Sequence, residues 1–288
     1  GTTILTAANS SFTGRFLVDN GILQVGDGTL AGNSGDLGSA GQVIVTQPGQ
    51  LRFNYTNDYN LLRVIRGNGT VVQQSTKVLR MGGSYGGNPF AGRIQVNNGT
   101  VEVDALGILA ASDGIIVNRG LYSYLDGNFA TVTEAGSFFK VTGNDAVGTP
   151  SYGVPLTLNG GTADVLTQRA FLGAITLNGG DLTSDQVTPN VGGSWIFLGN
   201  VNVTDDSTIS AKGIHFGTAS ASRDFNVAAG KTLNFTGSFG DSGSGVASIS
   251  KSGPGTLELT GSAKTYTGTT TLNGGFLKFA DATQLGLS

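Results

Sequence analysis

The sequence has no cysteine, one histidine, one methionine and six prolines in 288 residues. Without cysteine there are no disulfides, no thiolate nucleophile and no thiolate zinc site. A single imidazole cannot build a zinc centre, which takes several nitrogen or sulfur ligands. Charged residues make up 12% of the chain, about half the usual ~25%. The net charge is −3 and no segment is rich in lysine or arginine, so electrostatic capture of nucleic acid or of an anionic membrane has no basis. No apolar run approaches the ~20 residues of a membrane span, so no membrane insertion by this segment is expected. No charged-then-apolar signal peptide is seen in the sequence, which starts at Gly1 as expected of a chain already processed or excised.

Small and polar residues fill the space. Glycine occurs 48 times, threonine 33, serine 24 and asparagine 21. Hydrophobic residues are still 38%, enough for a core, so general disorder is not expected. The glycines follow no three-residue period, which excludes a collagen helix.

They follow a longer one. Thr-Leu-Asn-Gly-Gly occurs at 157–161, 176–180 and 271–275. Each copy belongs to a looser motif: an apolar residue, small polar residues, a glycine, then alternating apolar positions. Anchored on its glycine, the motif recurs at Gly21, Gly49, Gly69, Gly99, Gly120, Gly136, Gly161, Gly180, Gly230, Gly255 and Gly275. A degenerate copy, Val203 to Ile209, lies in the one gap of double length. Counting it, the mean spacing is about 23 residues. Alternation turns one face of a short strand inward. A glycine after asparagine supplies the positive φ of a sharp corner. At Gly161, Gly180 and Gly275, at least one glycine of each pair is expected at positive φ. A coil of this size cannot bury its own inner face, but stacked coils can.

The spacing therefore predicts an all-β protein, a parallel β-helix (β-solenoid) of about twelve coils with almost no helix. At ~4.8 Å per coil, that is a rod of roughly 55–60 Å. A β-sandwich or barrel shares the short strands but normally lacks a recurrent motif. Loops are expected to leave the coils at 26–42, 54–60, 82–92, 143–153, 185–194 and 238–247. No interdomain linker is seen, so residues 1–288 read as one solenoid segment, expected to be part of a longer chain.

Near the C-terminus the motif becomes specific. Gly253, Gly255, Thr256, Leu257, Leu259, Gly261, Tyr266, Gly268, Thr270, Leu272, Asn273, Gly275 and Leu277 fit G-x-G-T-L-x-L-x-G-x-n-x-Y-x-G-x-T-x-i-n-x-G-x-L-x-v. This stretch resembles the autotransporter-associated β-strand repeat, also called the passenger-associated transport repeat. Asn9, Phe12, Gly14, Asn20, Gly21, Leu23 and Val25 form a weaker copy. The resemblance implies a right-handed helix, an exported bacterial protein, and a location that is extracellular, at the cell surface. Such repeats form stalks of adhesins and autotransporter passengers.

Catalytic constellations are sparse. Polysaccharide-cleaving solenoids need clustered carboxylates, or carboxylates with arginine, lysine and calcium, and the 19 acids are scattered. Asp205-Asp206 reads as a polar turn, Asp181 and Asp185 as solvated loop acids. His215 lies in the alternating run Gly213–Gly217 and is expected to point outward, exposed, opposite Ile214 and Phe216. The glycine-rich run 81–87 has no lysine and no following helix, so it is no phosphate loop. Phe53, Phe138 and Phe279 read as inward core residues, as do Leu257, Leu259 and Leu277. Tyr55 and Tyr59, with Asp58 between them in a polar loop, are the candidates for stacking on a sugar; the alternative is that their rings cover a flank of the solenoid.

The sequence thus points to a structural surface solenoid, a stalk or adhesin segment, with no catalytic, metal or cofactor site. Its expected partners are other copies, by head-to-tail or lateral stacking into filaments, and glycans or cell surfaces. The rival reading is a polysaccharide-binding or polysaccharide-degrading β-helix protein.

Overall fold

The fold is that of a computed structural model, which describes residues 1–7, 12–29, 37–38, 41–61, 63–82, 90–103, 114–118, 137–143, 145–185, 194–217, 219–243 and 245–286. All described strand pairs between named strands are parallel, and each joins strands about one coil apart in the chain. A central sheet runs the length of the molecule. Its path passes through strands Thr2–Leu5, Ile22–Val25, Gln50–Phe53, Thr70–Gln73, Arg93–Val96, Gly114–Asn118, Val154–Asn159, Ala170–Asn178, Val201–Asp205, Ala221–Val227, Ala247–Ser252 and Thr270–Leu272. A flanking sheet stacks Tyr59–Leu61, Val78–Met81, Thr100–Val103, Phe138–Val141, Thr162–Asp164, Asp181–Thr183, Ser207–Ile209, Thr232–Phe235, Thr256–Leu259 and Phe276–Phe279. A short sheet, Arg15–Val18, Gln42–Val45 and Ile65–Arg66, closes the N-terminal coils on a third side. The only helical element among the described residues is one 3-10 turn, Ala282–Leu285.

Stacking puts like residues above one another. In the central sheet Leu23, Leu51, Val71, Ile94, Ile115, Leu156, Ile175, Val201 and Phe225 occupy one inward column. Each is nearly or fully buried, and β-branched or aliphatic side chains pack well at this pleated spacing. On the third side of the C-terminal coils, Phe197, Phe216, Phe239 and Tyr266 form an aromatic spine with ring centroids 6.2, 5.4 and 4.5 Å apart. The corners behave as the motif implies. Gly160, Gly179, Gly180 and Gly275 all have positive φ. The degenerate copy is a true corner: Asp206 alone separates the strands on either side.

Three expectations need correction. The fold class holds, but the coil count is about nine turns, not twelve. The flanking sheet has ten strands joined by nine steps, against twelve strands on the path of the central sheet, because the first two central strands have no flanking-sheet partner among the described residues. Phe138 faces outward and Phe139 inward, since Thr100 and Val101 pair with Phe138 and Phe139. Phe138 is thus level with Thr100, which directly follows Gly99, although it stands two residues after Gly136 in the sequence, and a one-residue slip swaps faces. Leu257 and Leu259 are fully buried and carry Leu277 and Phe279 on top of them, yet Phe279 is 48% exposed. Among the described residues Phe276–Phe279 is the edge strand of the flanking sheet, so only one side of the ring is stacked.

Loops leave the coils where expected at 143–153, where Thr149 and Tyr152 pair across a tight turn, and at 238–247, where Ser242 and Gly245 do so; the loop expected at 54–60 is shorter, because Tyr59 and Asn60 already belong to the flanking strand Tyr59–Leu61. Those at 26–42, 82–92 and 185–194 lie largely outside the described residues, as do most of the run 81–87 and the anchors Gly120 and Gly136.

Candidate functional site

Tyr55, Asp58 and Tyr59 do come together, between a central and a flanking strand. The two rings stack on each other, 4.5 Å apart and 7° from parallel. Phe53 meets both at 5.6 and 5.7 Å. Tyr55 is only 4% exposed, so its faces are spent on the core. Asp58 accepts from the Val78 N–H at 3.1 Å and from the Arg80 guanidinium at 3.3 Å. The arrangement is the flank-covering one, with the carboxylate tying the loop to the next coil.

Arg80 opens a charged column on the outer face of the flanking sheet. Arg80, Glu102, Lys140 and Asp164 occupy successive register positions and alternate in sign. The Arg80 Nε donates to Glu102 at 2.9 Å. Burial pushes the Asp164 carboxyl up; the Leu166 N–H opposes that, Asp185 adds to it and Lys140 lowers it. Asp181 is not the solvated loop acid expected. It is half-buried, which raises its pKa, and the Ser210 hydroxyl and N–H donate to it. Asp185 is exposed. Among the described residues no group of three or more histidines, cysteines or acids is placed to hold a metal ion.

His215 is buried, 6% exposed, contrary to expectation. It does point opposite Ile214 and Phe216, but the 240–241 loop folds over it. Burial holds its pKa down, with the backbone of Asp241 and Gly240 opposing.

Sequence reasoning missed two inward lysines. Lys251 continues the inward alternation of Ala247 and Ile249, and its Nζ donates to the carbonyls of Gly253 at 2.9 Å and Gly274 at 3.2 Å. Lys264 is fully buried. Its Nζ donates to Gly237 at 2.5 Å, Ser262 at 2.8 Å and Thr260 at 2.9 Å and lies 5.3 Å from the Phe235 ring centroid. Burial pushes its pKa down to about 8. These ammonium groups gather carbonyls that the turns leave unpaired. The alternation through Lys251 was the available signal.

One open groove of about 550 Å³ lies along three successive corners between the central and flanking sheets. Asn159, Gly160, Asn178, Gly179, Gly180, Asp205 and Asp206 line it. Parallel pairing sets Asn178 level with Asp205, and the Asn178 amide donates to Asn159 at 3.4 Å. Asp205 holds Lys231 at 2.5 Å, and that ammonium draws the carboxyl pKa down. Asp206 accepts from the Thr232 N–H at 2.7 Å. This is the polar turn expected of Asp205-Asp206. The glycines deepen it: the Gly179 N–H donates to Ser207, and no side chain rises from that floor.

Comparison with known proteins fits this architecture. Residues 1–25 and 249–278 match the family model of the passenger-associated transport repeat. The chain is 28% identical over 217 residues, 63% of its own length, to the adhesin BmaC autotransporter of Brucella suis biovar 1 (strain 1330). It spans 6% of that relative's length. No solved structure matches. The chain is thus a parallel β-solenoid that carries passenger-associated transport repeats in its first and last coils.

Proposed function

We propose that this chain is a shaft segment of an exported bacterial surface protein, with a structural and adhesive role and no catalytic one. The observation that carries the reading is the unbroken central sheet, whose strands pair in parallel from Thr2 to Leu272. Every coil is held by main-chain hydrogen bonds to its neighbours and by a shared inner column. Stability of this kind accumulates coil by coil and suits an extended element. The repeats at 1–25 and 249–278, and the likeness to an autotransporter adhesin, support a place at the cell surface. The carboxylates with raised pKa values are engaged by Ser210 and by the Leu166 N–H, which argues against a hydrolase. Coil stacking would also mediate contact between copies, head-to-tail or side by side.

The test is to display the chain on the outer surface of a bacterium and on beads. Display is expected to raise attachment to glycan-bearing cells and to release no reducing ends from polysaccharides. Release of reducing sugar, or unchanged attachment, overturns the reading. Light scattering at rising concentration reads the self-assembly.

A further inference from the structure

We propose that the corner groove at Asn159, Asn178 and Asp205 binds a neutral, hydroxyl-rich ligand, the rings of an oligosaccharide, directly on the shaft. This rests on the surface-adhesive reading above and gives it a site.

The lining carries two carboxamides, two carboxylates and three glycines, and no apolar side chain. An apolar ligand would gain nothing there, since small-molecule sites hold such ligands against hydrophobic walls. An anion would meet Asp205 and Asp206. A metal ion would need several such ligands, and among the described residues no group of three or more histidines, cysteines or acids is placed to hold one. Lys231 offsets the charge of Asp205, while Asp206 keeps its own and accepts from the Thr232 N–H. What remains is chiefly hydrogen bonding, from two carboxamides and two carboxylates. A carboxamide has two donor hydrogens and an acceptor oxygen, and Asn178 commits one donor, to Asn159. Ionised carboxylates accept several hydrogen bonds, so Asp205 and Asp206 retain capacity beyond Lys231 and Thr232. Alternating donors and acceptors are what vicinal hydroxyls match.

The floor fits as well. A ring can approach the backbone because Gly160, Gly179 and Gly180 raise no side chain. At Gly180 packing alone demands glycine: a Cβ would lie 2.3 Å from the Gly161 carbonyl oxygen. At Gly179 it does not. There the nearest heavy atom to a Cβ would be 3.6 Å away, so it is the φ of 75° rather than packing that favours glycine, and the floor has room for a ring. The volume of about 550 Å³ lies within the range of small-molecule sites, and successive corners are one coil, ~4.8 Å, apart, so the groove runs along the shaft as a polymer would.

The experiment uses the whole chain and an array of neutral hexasaccharides of glucose, galactose, mannose and N-acetylhexosamine, followed by calorimetric titration of the best binder. Polygalacturonate and calcium chloride alone serve as comparison probes. Gly179→Asn fills the floor with a residue that tolerates positive φ. Asn178→Ala removes the amide. Asn202→Ala, on the central sheet outside the groove, is the control. A neutral hexasaccharide is expected to bind, each groove variant is expected to weaken it about tenfold or more, and the control is expected to leave it unchanged with all melting temperatures preserved. The proposal is overturned if no neutral sugar binds, if polygalacturonate or calcium alone binds instead, or if the groove variants bind as the parent does. If Gly179→Asn lowers the melting temperature, Asn178→Ala alone decides. Any of these failures leaves the shaft reading standing, because attachment and the absence of sugar release are measured separately.

Discussion

The first three coils and the rest of the molecule use one sequence motif in two different places. Near the N-terminus, the Asn-Gly corner lies between the short sheet and the central sheet, at 19–21 and 67–69, and the strand that follows it is central: Ile22–Val25 or Thr70–Gln73. From Arg93 onward the same corner lies between the central and flanking sheets, at 97–99, 179–180 and 273–275, and the strand that follows is flanking: Thr100–Val103, Asp181–Thr183 or Phe276–Phe279. The motif therefore encodes a bend and the strand after it, not a side of the solenoid. Sides are assigned by what lies underneath. The exchange takes place between residues 54 and 77, where one coil has strands on all three sides, at 59–61, 65–66 and 70–73. The stacked Tyr55 and Tyr59 rings fill that coil, which accounts for so much aromatic surface in a polar loop.

The largest expected effect separates the two regions by their cores. Phe216→Ala removes the middle of the aromatic spine and is expected to cost about 3–5 kcal/mol in chemical denaturation. Solenoid stability is mostly nearest-neighbour, so hydrogen exchange is expected to show lost protection around 195–266 and little change at 15–66. Uniform loss would mean that the molecule unfolds as one unit and that the regions are not energetically distinct. Next come the corners. Gly67 and Gly180 have φ of 97° and 109°, and a Cβ would lie 2.1 and 2.3 Å from a carbonyl oxygen of the preceding coil. Gly67→Val and Gly180→Val are each expected to destabilise by more than about 2 kcal/mol, from left-handed strain plus the clash. Tolerance of either one in thermal melts would break the equivalence of the corners. Gly230→Ala, with φ 70° and open space around it, is expected to cost only about 1 kcal/mol.

The corner plugs differ in charge, which gives a pH test. At the exchange between regions, Gln73 points inward and its amide donates to the Lys77 carbonyl at 2.6 Å. In the C-terminal coils Lys251 and Lys264 do this work. The folded-state pKa of Lys264, about 8, is below its ordinary 10.5. Between those values the unfolded chain binds more protons, so stability rises with pH across that window and is lost again as pH falls through 8. The melting temperature of the C-terminal coils is expected to be higher at pH 9.5 than at pH 7.5, and Lys264→Met is expected to flatten that slope. A slope that survives in Lys264→Met would move its origin to another group.

Much of this was legible in the sequence because corners and alternation are local. Leu257, Val101 and Leu182 could be set inward from their neighbours alone. What could not be read was whatever depends on the coil above or below. Phe138 is on the outer face because its register with Thr100 is one residue off the spacing counted from Gly136. His215 had the right direction and the wrong exposure, since its cover comes from residues 240–241. Lys264 is invisible to a rule that puts ammonium groups in water, and its carbonyl partners come from three separate turn positions. The groove has the same character: Asn159, Asn178 and Asp205 are widely spaced in sequence, and only the register brings them into line.

The smallest expected effect concerns the charged column at the border between the regions. Arg80 stands on the second flanking strand, with its guanidinium 3.3 Å from Asp58 and 2.9 Å from Glu102. All three groups keep partial contact with water, so each pair is worth no more than about 0.2–1 kcal/mol. Arg80→Ala is accordingly expected to cost about 1 kcal/mol or less, and the difference is expected to shrink in 1 M salt, where screening acts within ~3 Å. Arg80→Glu is expected to cost more, because it lines up like charges on neighbouring strands. The interest lies in what a larger number would mean. Opposite charges at one register position favour one stacking order over a slipped one, and this position follows directly on the coil where the sides exchange. If Arg80→Ala cost more than about 2 kcal/mol, or if hydrogen exchange showed strands 59–61 and 78–81 losing protection together, the column would be fixing where the exchange happens. A loss within the expected limit leaves that task to the Tyr55–Tyr59 packing beneath.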